Sequence, residues 1–242
     1  MIKVGCCGWA KSQKEYFQHF SIIELQQTFY KLPELKTAKN WREKAPLEFE
    51  FTLKASQLIT HPPTSPTYKK GGIVIPKDKM DRYGFFRPTE EVFQAFEQTA
   101  EIAKVLSSKI IVFQCPASFK PTEENKENLR IFFKTIRRND FIMVWEPRGD
   151  WNEGEIKNLC QELNLSHCVD PFKNKSVYGE ILYLRLHGIG GYSYKYTDEQ
   201  LLTLARLVAS ERKPVYVMFN NTNMFEDALR FKLLLEKEKE TK

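Results

Sequence analysis

Arg185 and His187 stand two residues apart in the run Ile181-Leu-Tyr-Leu-Arg-Leu-His187. In an extended strand both side chains leave on the face of Tyr183, opposite Leu182, Leu184 and Leu186. A guanidinium offers a planar fork to a phosphate or carboxylate, and an imidazole titrates near neutrality, so the pair suits proton transfer on a bound anion. The same alternation recurs elsewhere. Glu24 and Gln26 oppose Ile23 and Leu25, and Thr52 and Lys54 oppose Phe49, Phe51 and Leu53. Ile142 and Val144 share a face with Glu146, and Arg148 follows. Further apolar runs finish at Gln114, at Asp170, and at Asn220 followed by Asn221.

These residues close strand-like runs at Ile2–Cys7, Ile22–Gln26, Phe49–Lys54, Lys109–Gln114, Phe141–Glu146, Ser166–Asp170, Ile181–His187 and Pro214–Asn220. Helical spacing falls between most of them: Lys14–His19, Leu35–Lys44, Glu90–Leu106, Glu123–Arg138, Glu153–Leu163 and Asp198–Glu211, with a last helix from Phe225 to the end. Strand alternating with helix predicts a parallel sheet, and eight right-handed crossovers close into a barrel. The chain has 242 residues, close to the roughly 250 typical of such barrels. Gly5-Cys-Cys-Gly-Trp9 after the first strand is not the glycine fingerprint of a dinucleotide fold. The fold class is therefore α/β, a single (β/α)8 TIM-like barrel over residues 1–242.

In such a barrel, seven of the eight strands finish in a polar or ionisable residue at one end. Desolvating so many groups is unfavourable unless they are paired or used. Glu24, Glu146 and Asp170 balance Lys54, Arg148 and Arg185, so a salt-bridge network closing the barrel top is the alternative to a site. The terminal His187 with Gln114, Asn220 and Asn221 around it favours a site at the C-terminal mouth.

One connection is long. Residues 62–89 follow the third strand without sustained helical period and carry Lys69, Lys70, Lys77, Lys79, Arg82 and Arg87 against Asp78 and Asp81. This basic loop is either an anion-collecting lid or a solvated insertion. His61 precedes it and could cap it. Gly188-Ile-Gly-Gly191 before Tyr192, Tyr194 and Tyr196 could bring backbone N–H groups or the Tyr194 hydroxyl to a phosphate. Trp9 and Trp151 lie on strand-end loops and could line a pocket, whereas His19 and His167 read as packing or surface residues.

The net charge of +6 is modest and compatible with an anionic ligand. No apolar run is long enough for a membrane span, and the start lacks a signal-peptide core. Five cysteines without a C-x-x-C pair suit reduced thiols, a cytoplasmic location and no structural zinc. No cofactor and no oligomeric state is specified by any residue pattern.

The strand-end motifs resemble those of the domain of unknown function 72 family, the YecE-like proteins. The resemblance rests on Gly8-Trp9, Glu24-Leu-Gln-Gln-Thr-Phe-Tyr30, Phe51-Thr-Leu-Lys54 with Ile59-Thr-His61, and Gln114-Cys-Pro116. Glu146-Pro-Arg148 with Trp151, Tyr183-Leu-Arg-Leu-His-Gly188 and Phe219-Asn-Asn221 continue it in the same order. It implies a TIM-like barrel and no established reaction. Gln26 stands where the commoner pattern has Asn, Gly149 where a His follows the Glu-x-Arg motif, and Cys6-Cys7 where a Thr-Ser pair occurs.

Three functions compete. The first is an enzyme with Glu146 and His187 as the catalytic acid–base pair acting on a small anion. That anion would be held by Glu24, Gln26, Lys54, His61, Gln114, Arg148, Asp170, Arg185, Tyr194, Asn220 and Asn221. The second is a divalent-metal-assisted phosphoester hydrolase using Glu24, Glu146, Asp170 and His187, opposed by the three cations in the same mouth and the lack of H-x-H spacing. The third is a non-catalytic binder of nucleic acid or a metabolite, using the basic loop and Tyr192, Tyr194 and Tyr196.

Overall fold

Period-two alternation with apolar residues on both faces is what a strand buried on both sides requires, and the eight strands satisfy it. The computed structural model describes residues 1–240. The strands are β1 (Ile2–Cys7), β2 (Ile22–Leu25), β3 (Glu50–Lys54), β4 (Ile110–Gln114), β5 (Ile142–Glu146), β6 (Ser166–Val169), β7 (Leu182–Leu186) and β8 (Val215–Phe219). All neighbours pair in parallel and in chain order, and β1 closes on β8 from Ile2↔Val215 to Cys6↔Phe219. The chain is a single closed eight-stranded barrel.

The helices are α1 (Gln13–His19), α2 (Gln27–Tyr30), α3 (Leu35–Lys44), α4 (Gln57–Thr60), α5 (Pro66–Lys70), α6 (Glu90–Val105), α7 (Glu123–Thr135), α8 (Glu153–Leu163), α9 (Asp198–Ala209) and α10 (Met224–Glu240). Thr89, Thr122, Asn152 and Thr197 each accept the N–H three residues on, and so cap α6, α7, α8 and α9. Such caps contribute about 1 kcal/mol each. The short α2, α4 and α5 escape sequence reading because four or five residues hold no period. The expected last helix is α10; the chain's final two residues lie outside the described residues. No helix among the described residues is long and apolar enough to cross a membrane.

Several strands stop one residue short of the expected polar ends. Gln26 has helical backbone at the start of α2, and Asp170, His187 and Asn220 follow their strands rather than closing them. Pro214, expected as the start of the last strand, lacks the N–H that a ladder needs, and β8 begins at Val215.

Two apolar clusters follow from the alternation. Leu182, Leu184, Leu186, Phe51, Leu53, Phe113 and Trp145 face the helices, where Phe113 meets Phe86, Phe96, Phe132 and Phe133 with ring centroids 5.2 to 6.4 Å apart. Inside the barrel Ile22, Ile110, Val112, Val144, Tyr183, Tyr216 and Met218 form a separate packed plug. The plug fills the barrel beneath the mouth and supports the charged side chains above it.

Candidate functional site

Arg185 is fully buried at the centre of the mouth. Its Nη1 donates to Glu146 Oε2 and, at 3.1 Å, to Gln114 Oε1. Its Nη2 lies 2.9 Å from Glu24 Oε1, an ion pair without hydrogen-bond alignment, and its Nε has no hydrogen-bond partner. Glu24 also accepts from the Tyr183 hydroxyl at 2.9 Å and from the Gln26 amide, and Tyr183 shares a further hydrogen bond of 2.8 Å with Thr52. The sequence placed these groups on one face, and the register confirms why: Glu24 pairs with Thr52 and Gln114 with Glu146 across adjacent strands.

Glu146 is the hub. Arg148 donates Nε to its Oε1 at 2.8 Å, and the Cys168 thiol lies 3.8 Å from Oε2. Burial alone would raise this carboxyl, but the Arg185 and Arg148 guanidiniums and the His187 contact hold it well below the usual carboxylate range. His187 Nε2 sits 2.8 Å from Arg148 Nη2 and 3.2 Å from Glu146 Oε1. Burial pushes the ring below its ordinary value against the pull of Glu146, which favours the neutral form at pH 7. Arg148 can only donate to Nε2 and Glu146 can only accept from it, so a neutral ring satisfies one of the two, and the shorter Arg148 contact puts the ring proton on Nδ1. The Asn220 amide lies 3.0 Å from Nδ1; exchanging its nearly identical oxygen and nitrogen gives that proton an acceptor. Asp170 accepts the backbone N–H of His187 at 3.1 Å and that of Phe172 at 3.1 Å, anchoring the loop rather than facing a cation.

Beside this array lies a pocket of about 180 Å³ between the β5 and β6 ends. Arg148, His187 and Trp151 line it together with the acids Glu153 and Asp170 and the exposed Lys173 and Lys175. Neither lysine was singled out from the sequence, because the β6–β7 connection has no helix and so no period to read. His187 also meets the edge of Tyr192 at 5.8 Å.

Other expected residues are placed differently. The Tyr194 hydroxyl is engaged by Gln200, the residue that completes the cap of α9. Asn221 donates to Asp227 Oδ2 and to the Tyr194 carbonyl, both at 2.7 Å, so it ties α10 to the loop after β7. His61 hydrogen-bonds Thr60 at 2.8 Å and packs on Phe29; burial and the neighbouring Lys54 and Arg148 charges lower it to about 3. Trp9 packs edge-on against Tyr16 and Phe17. His167 is buried, accepts the Val177 N–H and lines the pocket.

The 62–89 segment leans on α2 and α4. Tyr68 donates to the His61 carbonyl, and Gly84, Phe85 and Phe86 bond back to Leu58, Thr60 and Ile59. Phe85 and Phe86 both take left-handed backbone, with φ of 55° and 53°, a strained state for bulky residues that core burial of the Phe86 ring holds in place. Of its cations, Lys70 meets Tyr30, Arg82 meets Glu91 and Arg87 meets the Tyr83 carbonyl. The cations beside the pocket are instead Lys173 and Lys175.

The family model described as "Protein of unknown function DUF72" matches residues 3–242. The chain belongs to the DUF72 family. UPF0759 protein YunF of Bacillus subtilis is 25% identical, over 98% of this chain and 94% of that protein. A DUF72 protein of Enterococcus faecalis superposes with a TM-score of 0.76 at 19% identity, covering 98% of this chain and 96% of that one. One of Thermotoga maritima gives 0.73 at 24%, covering 98% and 99%. Endonuclease IV of Thermus thermophilus shares the fold more distantly, with a TM-score of 0.54 at 11% identity and 97% of each chain covered.

One departure from the DUF72 pattern has a structural reason. Gly149 has φ +87°, and a Cβ there would lie 2.7 Å from the Ala117 carbonyl oxygen. The histidine that the resemblance leads one to expect after Glu146-Pro-Arg148 does not fit this backbone.

Proposed function

We propose that the mouth of this barrel binds a small molecule bearing a phosphate or carboxylate and performs acid–base chemistry on it. The observation that carries the reading is the contact of the His187 imidazole with a locked carboxylate, Glu146, and with Arg148, at a pocket that Lys173 and Lys175 line together with Glu153 and Asp170. Glu146 is too firmly held by Arg185 and Arg148 to act as the base. It orients the ring and stabilises the imidazolium that forms when His187 takes a proton. Arg148 is more exposed than Arg185, Glu24, Glu146 and His187, with a third of its side chain open. An anion captured by Arg148, Lys173 and Lys175 draws the guanidinium from Nε2 and frees that nitrogen to accept the proton. Asn220 then keeps Nδ1–H pointed away from the substrate.

The metal-assisted alternative has less support. Among the described residues no three His, Cys, Asp or Glu side chains form a metal-holding group, and Glu24, Glu146 and Asp170 already face Arg185, Arg148 or backbone N–H groups. The endonuclease IV likeness is one of fold.

A thermal-shift screen of anionic metabolites, with and without divalent ions, tests the proposal. Any ligand found is then followed by product analysis in the wild type, Arg148→Met and His187→Asn. The expected result is metal-independent stabilisation lost in Arg148→Met, and turnover reduced by about 10²–10⁴ in His187→Asn with binding retained. Binding without product would leave a binding protein, and strict dependence on a divalent ion would favour the hydrolase.

A further inference from the structure

Arg185 and Arg148 each have a carboxylate in the mouth; Lys54 does not. It ends β3 on the inner face, paired in register with Val112 of the interior plug, and is 5% exposed. Its ammonium position lies 3.6 Å over the Phe29 ring, and among the described residues it has no ion-pair or hydrogen-bond partner. The charged and titratable groups within range are Glu24 of β2, Glu146 of β5, Arg148 after it, Arg185 of β7 and His61 after α4. Both glutamates are spent on the arginines. One aromatic face does not replace the hydration that an ammonium loses on burial. The amine is thus held near two fixed cations, over an apolar floor, without a counterion; burial first and Arg185 second bring it down to about 7. A large share of Lys54 is then the free amine at neutral pH, which surface lysines are not.

We propose that Lys54 is a covalent capture site for the carbonyl carbon of a small anionic aldehyde or 2-oxo acid. The proposal rests on the anion-binding reading above and narrows its substrate class. The amine lone pair attacks the carbonyl carbon, giving a carbinolamine. Its hydroxyl leaves as water with a second proton, so the C=O bond is replaced by C=N and both hydrogens lost from the amine nitrogen are balanced in the water. The imine nitrogen takes up one proton and becomes an electron-withdrawing iminium. That group makes a neighbouring C–H acidic enough for a base such as His187. No oxidant or reductant is consumed.

The test is reductive trapping. The full-length protein is incubated at pH 7 with glyoxylate, pyruvate or glyceraldehyde 3-phosphate and cyanoborohydride, and adducts are located by peptide mass mapping. The expected result is one dominant adduct, on Lys54, formed at least tenfold faster than on any other lysine and absent from Lys54→Arg. Trapping should persist as the pH is lowered to 6, where surface lysines react more slowly. Adducts spread evenly over surface lysines, or none on Lys54 with any of the three probes, would overturn the proposal. The wild-type peptide map decides the question even if Lys54→Arg folds poorly. Failure of trapping alongside Arg148-dependent stabilisation by non-carbonyl anions would refute Lys54 capture and leave the anion site standing; failure of both would remove the anion site as well.

Discussion

Replacing Arg185 by Met removes the one cation shared by Glu24 and Glu146 while keeping an unbranched apolar stem in its place. Arg185 and Glu24 are fully inaccessible and Glu146 is 4% exposed, so the two carboxylates left behind face each other with little water. Breaking a buried pair from one side costs about 3–5 kcal/mol, which in a chain of this size lowers the melting temperature by about 6–20 °C. The pH dependence supplies a second signature. Without Arg185, burial disfavours the charged form of the carboxylates it leaves behind, so the folded variant binds more protons than its unfolded chain, and its stability falls as pH rises from 5 to 7. The triple variant Glu24→Gln, Arg185→Met, Glu146→Gln removes all three charges and should recover at least half of the loss with a flat profile. Urea denaturation at pH 5, 6 and 7 measures all of this. A single variant that loses less than about 1 kcal/mol, or a triple variant no more stable than the single one, would refute the view that Arg185 is held by its two acids.

Two further outcomes follow from groups buried without their charge. His61 and His167, lowered to about 3 and about 4 by burial, stay neutral in the folded state while the unfolded chain takes up protons below pH 6.5. Stability should therefore fall with acidification, by about 2 kcal/mol for each between pH 7 and pH 5, and a wild-type denaturation series without that slope would contradict their burial as neutral rings. Lys54, lowered to about 7, works in the opposite sense. Its unfolded form holds a proton up to about pH 10.4, so keeping it costs up to about 4 kcal/mol at pH 7. Lys54→Met should melt several degrees higher at pH 7, with the gain shrinking as pH rises towards 10; a destabilised variant would show that the Phe29 contact outweighs the desolvation.

What could be read from the sequence was what a period of two enforces. In β7 the three leucines must face the helices, so Tyr183, Arg185 and His187 had to face inward, and the barrel follows from eight such runs with crossovers between them. Boundaries were less legible, because Gln26, Asp170, His187 and Asn220 keep the strand's polarity one residue past its end. Direction after a glycine turn was not legible at all. Gly188 takes φ +88° with the Gly191 carbonyl oxygen 2.1 Å from where a Cβ would sit, and the chain leaves at an angle that gives the Tyr194 hydroxyl to Gln200 and Asn221 to Asp227. Nor could composition place a cation. The six basic residues of 62–89 dominated the charge count, yet Lys173 and Lys175, in a helix-free connection, border the pocket.

The counting of charges shows the limit most sharply. Three acids and three bases in the mouth read as balanced, and a balanced inventory suggests a network in which each cation has a partner. Geometry distributes them otherwise. Glu24 and Glu146 both converge on Arg185, Arg148 shares Glu146, and Asp170 turns its two oxygens to the backbone N–H groups of Phe172 and His187. Lys54 is left over the ring of Phe29, which comes from a four-residue helix too short to announce itself. Equal numbers guarantee neutrality over the mouth as a whole, but a low-dielectric interior weighs each pair by distance. The unpaired amine is thus a property of the fold, and it is also the group in this mouth whose burial stability alone would not select.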